Sequence, residues 1–276
     1  LVLMLHGFGE FWWTWRHQLT ALGDAGFRAV AVDLRGYGDS DKPPRGYDAW
    51  TLSGDVAGLI KALGERRAHL VGHGWGGLLA WASAALHPRL VRSVSALAAP
   101  HPLALRREVR RTALYRRRTN QARALRGLFA AQFPFLPERR LTRDGGARIE
   151  AAMRRLSGPQ WTEQPDFADT VARFRRALLV PGVAHSALEY YRWAVRAQVR
   201  TEGRRFNEAM ARRVDLPVLQ LHGALDGYML PRTVYASTEW IGPPSLSVSL
   251  DDVGHYPHQE VPAQASAVLK GFLSSA

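Results

Sequence analysis

The sequence predicts an α/β chain: a mostly parallel sheet flanked by helices, interrupted by a helical insertion. Three observations carry this. From Leu1 to Ala98, short apolar runs alternate with helical stripes, in the order strand–helix–strand–helix–strand–helix–strand. From about Leu103 to Arg213 helical patterns follow one another without a strand candidate of comparable quality. From Pro217 the strand–helix alternation returns. The expected division is a core of residues 1–102 and 214–276 with an insertion over 103–213.

Leu1 to His6 reads as a buried strand, five apolar residues ahead of a histidine. A chain that opens on a strand implies missing earlier elements, and an exposed edge at Leu1–Leu5 favours association of copies. His6-Gly7-Phe8-Gly9 is a turn, followed by a segment with Phe11, Trp12, Trp13 and Trp15. Arg16 to Ala25 is a short helix that Gly26 closes. Phe27 to Val32 is the second strand, and Asp33 to Pro44 is loop throughout. Thr51 to Leu63 is a helix, with Leu52, Val56, Leu59, Ile60 and Leu63 on one stripe.

Leu70-Val71 then runs into Gly72-His73-Gly74-Trp75-Gly76-Gly77, and an apolar helix follows from Leu78 to Leu86. Val91 to Ala98 is a strand ended by Pro100-His101-Pro102. The insertion divides into Leu103–Phe133, Asp144–Leu156, Asp166–Leu179 and Ser186–Thr201. Pro217–Gly223 and Leu246–Leu250 are the last strands, and Pro262–Leu273 is the final helix.

Composition narrows the function classes. At 276 residues and 46% hydrophobic, the chain can bury a large core. It has no apolar run long enough to span a membrane and no visible leader, so no membrane partner is expected. Zero cysteines exclude disulfides and thiolate chemistry and fit a cytoplasmic protein. The net charge of +13 is concentrated in residues 100–213, which hold 25 Arg against ten acidic residues. No nucleic-acid motif accompanies that excess, so a solvated Arg-rich surface is expected and no nucleic-acid partner.

The glycine cluster marks the centre of the chemistry. Strand, tight turn and helix in direct succession form the context of a nucleophile elbow, which lifts one side chain above a parallel sheet. Gly72, Gly76 and Gly77 let strand and helix approach closely. The elbow position itself is Gly74, which carries no side chain. Asp226 and His255 lie in the loops after the last two strands, where open α/β sheets bind ligands. The order elbow–acid–histidine suits an Asp226 that orients His255, and a His255 that takes a proton from water or a hydroxyl. Backbone N–H groups of Phe8 and Trp75 are candidates for an oxyanion hole. Gly36-Tyr37-Gly38-Asp39-Ser40 is glycine-rich too, but no helix follows it, and Ser40 reads as a turn residue.

These motifs together resemble the epoxide hydrolase branch of the α/β-hydrolase superfamily, related to haloalkane dehalogenases. The matching residues are His6-Gly7-Phe8, Asp33-Leu34-Arg35-Gly36-Tyr37-Gly38-Asp39-Ser40, Gly72-His73-x-Trp75-Gly76-Gly77, Gly223-x-x-Asp226 and Gly254-His255. The resemblance implies an α/β-hydrolase fold with an α-helical cap over residues 103–213, and no metal or organic cofactor. It implies that cap tyrosines donate a hydrogen bond to an epoxide oxygen. Tyr191, in Leu188-Glu189-Tyr190-Tyr191-Arg192, matches one of them best.

The departures matter as much. The family's nucleophile is an Asp at the position of Gly74, and its usual Pro stands where Gly9 is found. Leu128–Pro134 matches the stretch that holds the family's other tyrosine but contains none. The family's first two strands have no counterpart. The expectation is an epoxide-hydrolase-like protein acting on a small apolar substrate, with water activated by the His255–Asp226 pair in place of an Asp ester. The alternative is an inactive homologue whose pocket, lined by Trp12, Trp75, Tyr190 and Tyr191, binds a small apolar ligand. A homo-oligomer is a further possibility under either reading.

Overall fold

A computed structural model describes residues 1–113 and 120–276. Residues 114–119, within the predicted stretch Leu103–Phe133, lie outside the described residues. The chain begins with β1 (Val2–Leu5), α1 (Arg16–Gly23), β2 (Ala29–Val32), α2 (Ala49–Ala62) and β3 (Ala68–His73). Next come α3 (Trp75–Leu86), β4 (Val91–Leu97) and α4 (Pro102–Ala113). The insertion continues with α5 (Gln121–Ala124), α6 (Gly127–Ala130), α7 (Leu136–Leu156), α8 (Pro159–Thr162), α9 (Pro165–Leu179), α10 (Val183–Arg196) and α11 (Thr201–Met210). The core resumes with β5 (Val218–Gly223), α12 (Pro231–Tyr235), β6 (Ser245–Leu250), α13 (Pro257–Glu260) and α14 (Pro262–Ser275).

The described strands form one sheet in the order β2-β1-β3-β4-β5-β6, all parallel. Period-two alternation sorts their side chains to two cores. Leu3 and Leu5 of β1 pack with Val56 and Ile60 of α2 and with Leu79 of α3. Val2 and Met4 face the opposite way, against Leu22 of α1 and Leu269 and Leu273 of α14. Burial on both faces explains why β1 reads as a continuous apolar run. Among the described residues no helix is long and apolar enough to cross a membrane.

Several expectations shift. The strand at Leu1–Leu5 is not an edge, because β1 pairs with both β2 and β3 and its four residues are buried. The edges are β2 and β6, so the argument for association through β1 falls. The expected helix from Leu78 starts three residues earlier, at Trp75, because the chain turns from β3 into α3 at Gly74 alone. The single helix expected over Ser186–Thr201 is two elements. α10 ends at Arg196, a short turn of 3₁₀ helix follows, and extended Arg200 (ψ 154°) starts α11. Gly203 permits that reversal: a Cβ there would stand 1.8 Å from the Ala197 carbonyl oxygen. In α7, Asp144, Gly145 and Gly146 have positive φ and break the helix just where the sequence reading began a new one.

Candidate active site

The elbow is built by close approach. A Cβ on Gly72 would lie 2.2 Å from the Gly76 carbonyl oxygen, and one on Gly76 would lie 2.1 Å from that of Leu5. Only glycine lets β1, β3 and α3 meet there. Gly74 caps α3 with φ 51° and ψ −113°, a conformation that L side chains rarely adopt. A Cβ added to it would meet nothing nearer than Gly7 Cα at 3.7 Å and His255 Nε2 at 3.9 Å. The turn therefore has room for a side chain, and it aims that side chain at the His255 ring.

His255 Nδ1 donates to Asp226 Oδ2 at 2.8 Å, and both side chains are buried. The other Asp226 oxygen accepts from the backbone N–H groups of Tyr228 (2.8 Å) and Met229 (3.0 Å). With its carboxylate held on both sides, Asp226 fixes the His255 ring and leaves Nε2 facing the elbow. The backbone of His255 is tied to the cap, since its N–H donates to the Leu156 carbonyl at 2.7 Å. Glu260 strengthens that joint by accepting from the N–H groups of Gly158, Gly254 and Tyr256 at 2.7–2.9 Å. Burial pushes the Glu260 pKa up against the lowering pull of those three bonds.

Above the elbow lies a cavity of about 350 Å³ that Phe8, Gly74, Trp75, Tyr191, Tyr228 and His255 help to line. Trp75 opens α3, so its N–H is one of the first-turn donors without an intrahelical partner. Comparison with known proteins agrees with this architecture. A sequence model of the alpha/beta hydrolase fold matches residues 1–262. The chain belongs to the α/β hydrolase fold family. Within it, the chain is epoxide-hydrolase-like. It is 31% identical to Epoxide hydrolase 3 of Xenopus tropicalis, over 99% of this chain and 71% of that protein. It is 29% identical to Epoxide hydrolase A of Mycobacterium tuberculosis, over 99% of this chain and 90% of that one. The crystal structure of a Bacillus megaterium epoxide hydrolase in complex with an inhibitor superposes with a TM-score of 0.80 at 26% identity, covering 99% of this chain and 93% of that one.

Against the hydrolase fold, two expected pocket residues change place. Trp12 is 42% exposed, does not line the cavity, and uses its backbone N–H to hold Asp33 Oδ1 at 2.8 Å. Tyr190 is buried outside the cavity, where its ring packs on Tyr37, Tyr47 and Trp75 and its hydroxyl donates to the Arg35 carbonyl at 2.8 Å. Consecutive helical residues point about 100° apart, so only one of the Tyr190–Tyr191 pair can face the cavity. Tyr191 does, between Phe8 and Trp75, with ring centroids at 4.7 and 5.4 Å.

The structure brings a second tyrosine to the cavity from the core rather than from the Leu128–Pro134 stretch. Tyr228, two residues beyond Asp226, lines the same cavity and donates to the Tyr191 hydroxyl at 3.3 Å. Burial pushes Tyr191 up to about 12, against the opposing hydrogen bonds from Tyr228 and Trp75, and raises Tyr228 further. Both are neutral proton donors across the physiological range. Sequence reading passed over Tyr228 because nothing in its neighbourhood marks which way it points.

It also passed over the base of the elbow. His73 Nε2 contacts the His255 carbonyl oxygen at 2.8 Å, and Nδ1 contacts the Glu10 carboxylate at 3.0 Å. A carbonyl and a carboxylate both accept, so the protonated ring, donating from both nitrogens, fits this position. Burial opposes that charge, but Glu10 outweighs burial and raises the His73 pKa. Burial would likewise raise Glu10. The His73 charge, its hydrogen bond, His258 and the Gly7 N–H (2.6 Å) overcome that and hold the carboxyl below its usual range. Glu10, His73 and His258 also bring three potential ligand atoms within 4.8 Å of one another. Both His73 nitrogens already meet protein acceptors, and His258 Nε2 is engaged by Thr14 Oγ1 at 2.9 Å. His6 completes the floor. Its Nε2 accepts from Leu34 N–H at 3.0 Å and its Nδ1 donates to the Gly7 carbonyl at 2.8 Å, fixing the turn that presents Phe8.

Proposed function

We propose that the chain hydrolyses a small apolar epoxide by direct attack of water, without an ester on the elbow. The observation that carries this reading is the position of His255 Nε2, 3.9 Å from where a Gly74 side chain would begin. A water in that space lies within reach of the Phe8 and Trp75 N–H groups, which anchor its oxygen. His255 takes one water proton as the oxygen attacks an epoxide carbon. The ring C–O bond breaks, and its oxygen takes a proton from the Tyr191–Tyr228 pair. The His255 proton then returns to that pair, giving a diol and the starting enzyme. Asp226 stabilises the transient imidazolium.

A second reading rests on the same glycine. Without a nucleophile, the pocket is that of a binding homologue for a small apolar ligand. Styrene oxide turnover separates the two. Turnover that disappears in His255→Ala supports hydrolysis, whereas turnover unchanged in that variant overturns it. No turnover, with a rise in melting temperature on adding the diol product, favours binding.

Gly74→Asp tests the machinery independently. The turn has room for the Cβ, so the variant is expected to fold at a strain cost of about 1–3 kcal/mol. It is expected to gain epoxide hydrolysis through an ester, which mass spectrometry detects when His255→Ala is added. A folded Gly74→Asp chain with no activity and no ester counts against the assigned roles of Tyr191, Phe8 and Trp75.

A further inference from the structure

A second cavity adjoins the first, and Trp75, Leu78, Leu105, Leu125, Leu128 and Ala194 border both. At about 470 Å³ it is the larger of the two and within the range of small-molecule sites. The core helix α3 and the cap helices α4, α10 and α11 enclose it, and its walls are almost wholly apolar. Among the described residues no acidic residue lines it, and the ionisable ones that do are Arg106 and Arg110.

These two arginines differ from their neighbours on α4. Arg107 pairs with Glu239 and Arg111 with Glu108. Arg106 and Arg110, four residues apart and therefore on one helix face, have no carboxylate partner among the described residues. Two buried donors among the lining residues, Arg106 Nε and Trp193 Nε1, lack any acceptor. Burial and then the neighbouring Arg110 charge lower the Arg106 pKa. An unpaired donor costs free energy that an anionic acceptor removes.

We propose that this cavity binds an anionic amphiphile, its hydrocarbon chain against the apolar walls and its carboxylate on Arg106 and Arg110. The pairing of features is specific: apolar walls select a chain, and two cations without counter-charge select an anionic head. A guanidinium holds a carboxylate through paired hydrogen bonds, stronger than neutral ones. The site shares a wall with the first cavity, but His255 and Asp226 do not line it, and the proposal rests on no step of the hydrolytic reading.

The test uses 12-bromododecanoate, whose bromine quenches tryptophan fluorescence on contact. Trp193 borders only the second cavity, whereas Trp75 borders both. Saturable quenching is expected in the whole chain, with at least half of it lost in Trp193→Phe. An Arg106→Gln, Arg110→Gln double variant is expected to bind about tenfold or more weakly. The unaltered chain gives a control that needs no variant: 12-bromododecan-1-ol is expected to bind about tenfold more weakly than the acid. The proposal is overturned by any of three results: no saturable quenching, equal affinity for acid and alcohol, or quenching that survives Trp193→Phe intact.

Discussion

The floor and the roof of the cavity above Gly74 are built by different rules. Floor residues come from strand ends and the loops after them, and Asp226, His73 and Glu10 among them are held by hydrogen bonds, whereas the His222 ring nitrogens have no hydrogen-bond partner. Asp226 has three donors, His73 two acceptors, and Glu10 both His73 and the Gly7 N–H. The roof comes from cap helices and is mostly apolar, with Leu128, Leu141, Ile149, Met153 and Leu188 facing inward. Tyr191 and the α7 arginines Arg140, Arg148 and Arg155 are its polar members, and the hydroxyl partner of Tyr191, Tyr228, belongs to the floor. Fixed hydrogen bonds hold the floor's polar groups in register, while packing of mostly apolar side chains shapes the roof. The His255 loop joins the two through Leu156 and Gly158, so floor and roof are mechanically linked at one place.

That contrast can be broken most strongly at the floor. Glu10→Gln leaves the His73 imidazolium buried without its counter-charge, and stability is expected to fall by about 3–5 kcal/mol. By comparison, removing the exposed roof pair Arg173–Asp169 with Asp169→Asn is expected to cost less than about 1 kcal/mol. Urea unfolding of the two variants measures both. Equal losses would remove the distinction between the buried floor pair and the exposed pair on the cap.

Tyr191→Phe sharpens it at the seam. If hydrolysis is the activity, turnover is expected to drop about a hundredfold, the usual range for one preorganised donor. Tyr228→Phe is expected to lose less, because Tyr191 remains at the cavity, and stability should change little in either. Steady-state kinetics on styrene oxide resolves the two. A larger loss in Tyr228→Phe would assign the donated proton to the floor.

The smallest effect lies outside the cavity, in the neutral buried histidines of the core. Burial pushes His101 down to about 3 and His69 to about 4. These groups bind protons in the unfolded chain before the folded one. Their stabilising contribution is whole above about pH 6.5 and is lost as pH falls toward 4 and 3. His73 runs the other way: its raised pKa stabilises below about pH 6.5, and that part is lost as pH rises through its folded value. The urea midpoint is therefore expected to fall between pH 6.5 and pH 4. His101→Gln, unable to titrate, should show a shallower fall despite lower stability at pH 7. An unaltered slope would discount His101.

Element order, the sheet-insertion-sheet plan and the position of the elbow were legible in the sequence because each rests on neighbouring residues. Strand runs, helical stripes and the glycines around Gly74 are local patterns, and local sterics produce them. Asp226 and His255 were legible for a related reason, since strand ends gather at one edge of a parallel sheet. What only tertiary structure decided was which side chains meet across long separations. His73 meets Glu10 across 63 residues, Tyr228 faces Tyr191 across 37, and Tyr190 turns away to the Arg35 carbonyl. Those outcomes depend on helix phase and strand order, which no local pattern encodes. The same holds for β1, which lies inside the sheet because β2 and β3 pair on either side of it.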